Sequence, residues 1–166
     1  MNIHPILVHM PIGIFTLYAI MEIVCIDKKF PSLRNGKRLL SIVGFIAGWV
    51  ALATGEAAEH AFSGNDQTMH NLIEAHSTFA GAFVIVAGAL ALLSVLSWVL
   101  EKYPVPVTPL QKIAHKLEPL NKRWIFVILA LAGLALITIV GGLGGTIVYG
   151  PDLDPATKLL YSLFAK

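Results

Sequence analysis

Four apolar runs, each about 20 residues or longer, constrain this chain more than any other feature, because a helix of that length crosses roughly 30 Å of hydrocarbon. They run approximately from Pro5 to Ile26, Leu39 to Ala58, His76 to Leu100 and Trp124 to Tyr149. Together they take up more than half of the 166 residues, and only 13% of the chain is charged. A soluble globule is excluded by that balance. The expected fold is all-α, an integral membrane four-helix bundle forming a single transmembrane domain over 1–166. Its helices are placed at about 5–26, 38–60, 67–103 and 122–149, with a short cytoplasmic segment at 104–121 and a C-terminal surface helix at 155–165. The first run lacks the basic leader and early small-residue site of a cleaved signal peptide and is read as a retained helix.

Charge sets the expected orientation. Lys28, Lys29, Arg34, Lys37 and Arg38 follow the first run; Lys102, Lys112, Lys116, Lys122 and Arg123 fall between the third and fourth. Ten of the twelve Lys and Arg therefore lie in two loops on one side. The positive-inside rule makes those loops cytoplasmic and puts the N-terminus and C-terminus on the outer, periplasmic side of a bacterial cytoplasmic (inner) membrane, crossed several times. Topology accounts for the basic residues, so nucleic acid is not expected as a partner; the lipid bilayer is.

The opening stretch, MNIHPILVHMPIG, puts two histidines and two prolines at the mouth of a membrane span. Pro5 suits a first helical turn and pushes His4 to the cap, whereas Pro11 deprives the Leu7 carbonyl of its partner and should bend the helix beside His9. His4 is then expected within reach of water, and His9 to need a partner in the bundle. Glu22, near the cytoplasmic end, is expected to pair with a basic residue. In the second run Gly44, Ala47, Gly48, Ala51 and Gly55 form a small-residue face for helix packing, which also offers a route to homo- or hetero-oligomers. Ser63, Gly64, Asn65 and Asp66 read as a turn that caps the third helix, and QKIAHKLEPL as a short amphipathic helix.

Five of the six histidines, His4, His9, His60, His70 and His76, gather on the outer side with Glu56, Glu59 and Glu74. Ionisable residues at membrane depth mark functional sites. Three readings stay open. His9 and His76 ligate a b-type haem, with His4 and Glu56 orienting the imidazoles and Gly141 to Gly145 giving room to the macrocycle. Alternatively, His9, His76, Glu56 and His60 hold a divalent transition metal such as zinc, iron or copper. In the third, a hydrogen-bonded cluster ties helix ends together in an accessory subunit. The single cysteine, Cys25, excludes an intrachain disulfide or a thiolate cluster. No catalytic triad or phosphate loop is evident, so an electron-transfer or accessory role is expected over that of a stand-alone enzyme.

The segment HPILVHMPIG, followed by GEAAEH and LIEAH, resembles the bacterial membrane family catalogued as domain of unknown function 2231. The family's opening motif falls on His4, Pro5, Val8, His9, Pro11 and Ile12, and its further histidine on His76. The resemblance implies four membrane helices. Similar domains are joined to c-type cytochrome or Rieske-type iron–sulfur domains, which implies membrane redox work. This sequence contains no CxxCH, so the partner implied is a separate cytochrome or iron–sulfur protein. The favoured expectation is a membrane haem-b protein that passes electrons at the outer face, with cofactor-binding residues His9, His76, His4, Gly141 and Gly145.

Overall fold

A computed structural model describes residues 4–24, 29–60, 66–103, 108–116, 119 and 122–166. Among them there are helices and no strand: α1 (His4–Leu7), α2 (His9–Ile23), α3 (Arg34–His60), α4 (Gln67–Lys102), α5 (Pro109–Lys116), α6 (Arg123–Tyr149) and α7 (Pro155–Phe164). Four stretches are long and apolar enough to cross a membrane: His4–Ile23, Pro31–Glu59, Gln67–Lys102 and Arg123–Tyr149.

The first span is broken at Val8, between α1 and α2. Pro11 has no N–H to give the Leu7 carbonyl, so the chain loses one rung of its ladder there. His4 itself is helical, not a flanking cap as its place before Pro5 suggests, and the Val8 N–H closes the first turn on the His4 carbonyl at 3.1 Å. A 3-10 turn, Pro31–Leu33, leads into α3. That helix begins at Arg34, one turn before the apolar run, because amphipathic basic residues extend it beyond the hydrocarbon. Asp66 caps α4 through Thr68 N–H at 3.0 Å; the rest of the expected turn, Ser63 to Asn65, lies outside the described residues. The 36 residues of α4 make about 54 Å, so it overshoots a bilayer.

The bundle is held by α4 against α6 and α3, with α2 laid against α3 and α6. Its core is aromatic: Phe15 and Phe83 meet edge to face at 4.9 Å, with Ala19, Ala87, Leu90, Ala130 and Ile137 buried around them. Gly44 faces α2, near Ile14 and Phe15, and Gly48 faces Phe83. The small-residue face is thus spent inside the chain, bringing α3 close to its neighbours.

One end of the bundle is held by ion pairs. The Glu22 carboxylate, buried in α2, pairs with Lys37 Nζ at 2.9 Å, and Arg123 donates to the Glu22 carbonyl at 3.1 Å. Arg34 and Arg38 both reach Glu101. At the opposite end α7 folds back onto α6 and α4. Gly150, with φ at 85°, turns the chain out of α6, and Asp154 and Thr157 cap α7 reciprocally. Thr157 is buried, Phe164 meets Phe79 edge to face at 5.6 Å, and Asn71 donates to the Lys166 carbonyl. Leu159 and Leu163 of α7 remain exposed, as does Leu153 in the turn before it.

Candidate functional site

The histidine end of the bundle holds a half-open cavity of about 570 Å³ lined by residues of every spanning segment. That size suits a small molecule or cofactor, whose sites run to about 300–1,000 Å³. Its walls are mainly apolar, with His4, His9 and His76 among the polar exceptions.

His4 and His76 are brought together. Their rings stand edge to face, at 86°, with centroids 6.4 Å apart. Each is anchored through Nδ1. His4 Nδ1 lies 3.1 Å from the Thr54 hydroxyl of α3, and His76 Nδ1 lies 3.1 Å from the Val140 carbonyl of α6. A carbonyl only accepts, so the neutral His76 ring carries its proton on Nδ1 and a lone pair on Nε2. Glycines make the seats: a side-chain carbon at Gly55 would stand 3.1 Å from His4 Cε1, and one at Gly144 would stand 3.4 Å from His76 Cε1.

His9 occupies a different place from the one expected. It is exposed at the cavity rim and donates from Nδ1 to the Pro5 carbonyl at 2.7 Å. The inward residue is His4, because the two are five positions apart and at about 100° per residue they point well away from each other. Glu56 and Glu59 also lie exposed on the rim. His70 and Glu74 are exposed on the first turns of α4 and do not line the cavity, and the side chain of His60 lies outside the described residues. Of the expected glycines, Gly141 and Gly145 line the cavity, but Gly141 has open space about it and Gly145 faces Thr157 and Leu153; Gly144 is the one against a histidine. Among the described residues no three of His, Cys, Asp or Glu converge as a metal ion would require.

Thr54, Gly55 and the Val140 carbonyl are absent from the site expected from the sequence, which includes Gly144 only as part of the Gly141 to Gly145 segment. A backbone carbonyl carries no sequence signal. The inward phase of His4, however, is written in the first span: Phe15, Tyr18 and Glu22 mark a buried face, and steps of three and four back from Phe15 reach Pro11, Val8 and His4.

The sequence pattern of the family described as predicted membrane protein DUF2231 matches residues 1–154. The chain belongs to that family. No curated protein and no solved structure matches it. Within this DUF2231 chain, the matched region contains all four spans and the whole His4–His76 site, and leaves out only α7.

Proposed function

We propose that this DUF2231 protein is a haem b carrier of the bacterial cytoplasmic membrane that exchanges single electrons with a separate redox protein, the iron being held between His4 and His76. The observation that carries the reading is the pair itself: two imidazoles from different spans, each tethered at Nδ1, facing one cavity. The rings stand near enough, with centroids 6.4 Å apart, for one group to be shared between them. A bare divalent ion needs further protein donors, and two imidazoles do not supply them; a porphyrin would bring nitrogens of its own. Haem would supply a one-electron iron couple there.

The protein's part is to orient and to exclude. Thr54 and the Val140 carbonyl hold the ring planes, Gly55 and Gly144 let the rings lie against the helix backbones, and the apolar walls keep the medium poor in water. His9, Glu56 and Glu59 form the polar rim. The concentration of Lys and Arg at the other end of the bundle supports a cytoplasmic location for that end, with both termini and the rim facing the periplasm.

The absorption spectrum of protein purified from haem-replete cells tests the reading. A Soret band, with sharp visible bands on reduction, is expected. A colourless preparation that also takes up no added haem would sink it.

A further inference from the structure

Thr54 is a mid-helix threonine whose hydroxyl has more calls on it than it has protons. Its Oγ1 lies 2.9 Å from the Ala51 carbonyl and 3.1 Å from the Val50 carbonyl, and 3.1 Å from His4 Nδ1. The one hydroxyl proton goes to a carbonyl of its own helix, the usual back-bond of a helical threonine. What remains for His4 is an oxygen lone pair. We infer that Thr54 is a positioning residue, which fixes His4 as the Nδ1–H tautomer and so makes Nε2 the lone-pair nitrogen of the ring.

The surroundings act in the same sense. Gly55, the next residue, leaves the room that a side chain would take from His4 Cε1. The Thr54–Gly55 dipeptide is therefore a seat, one residue giving an acceptor and the other giving space. The Val140 carbonyl imposes the same tautomer on His76. With both neutral rings protonated at Nδ1, each carries its lone pair on Nε2, where an electron-pair acceptor would bind. A Lewis-acidic centre is such an acceptor, so the inference deepens the haem reading, though the tautomer stands without it.

Histidine ¹⁵N spectra of the protein in lipid nanodiscs, with no haem added and at mildly alkaline pH, decide the matter. The His4 resonances are assigned by their loss in His4→Ala. Wild type and Thr54→Ser are expected to show His4 with a protonated Nδ1. Thr54→Val, which keeps the shape and removes the oxygen, is expected to move most of the His4 population to the Nε2–H form. The His76 signals, unchanged, report that the fold is intact. An unaltered His4 tautomer in Thr54→Val would overturn the inference. After loading with haem, Thr54→Val is expected to raise the midpoint potential above that of Thr54→Ser, since a ring without its Nδ1 partner is the poorer donor to ferric iron; equal potentials would remove Thr54 from the tuning of the iron. Failure of the wild type to take up haem would sink the proposed function, while the haem-free spectra would still decide on Thr54.

Discussion

Phe15 of α2 lies against Gly133 of α6 so closely that a methyl group on that glycine would come within 2.6 Å of the ring's Cε1. The ring has little room to shift, because Phe83 meets it edge to face at 4.9 Å and Tyr18 packs 5.8 Å away. Overpacking a core of this kind costs about 1–3 kcal/mol. Gly133→Ala should accordingly lower the midpoint of thermal unfolding in detergent, and Gly13→Ala, in mid-helix with nothing within 4 Å, should leave it unchanged or raise it slightly. Equal melting of the two variants would contradict the packing described.

The histidines separate by position. His4→Ala and His76→Ala are each expected to lose bound haem, by more than the 10- to roughly 100-fold typical of outer-shell changes. His9→Ala should keep the pigment, since His9 is exposed and bonded to its own helix. Retention of the Soret band in His4→Ala with its loss in His9→Ala would restore the sequence-based pairing of His9 with His76.

Removing one member of the Glu22–Lys37 pair leaves the other in a place that water scarcely reaches, a change that costs about 3–5 kcal/mol in buried pairs. Lys37→Met should thus be strongly destabilising and Lys37→Met with Glu22→Gln less so. Arg34→Ala breaks an exposed contact with Glu101 and should fall within about 1 kcal/mol of wild type. Chemical unfolding of the four proteins in one detergent is the measurement.

Orientation is open to direct labelling. In a Cys25→Ser background, a cysteine at Asp66 should react with an impermeant maleimide added to intact spheroplasts, and one at Lys112 only after lysis. The reverse pattern would turn the protein over in the membrane and put the His4–His76 cavity on the cytoplasmic side.

The membrane spans are legible in the sequence because hydrocarbon thickness dictates their length, and the cap at Asp66 because side-chain chemistry dictates its place. The site is legible only as a neighbourhood. His4 and His9 carry the same side chain in the same polar setting, and what separates them is the rotational phase of a short helix. That phase is fixed by Phe15, Tyr18 and Glu22 further along, whose inward direction is visible only once they are read as one face. Thr54 resists reading for another reason: its role depends on the His4 ring reaching it from a different span. Gly141, Gly144 and Gly145 form one cluster in the sequence, yet only the register of α6 against α4 makes Gly144 the seat of an imidazole.

The Phe15–Phe83 contact, with Ala87, Leu90 and Ile137 buried about it, stands between the cavity and the Glu22–Lys37 pair as a dielectric floor. A charge that appears or vanishes between His4 and His76 stays on one side of that floor, so it traverses only part of the transmembrane voltage. A charge bound in the cavity would then be weakly coupled to the energised state of the membrane and would answer chiefly to the solution at the histidine end.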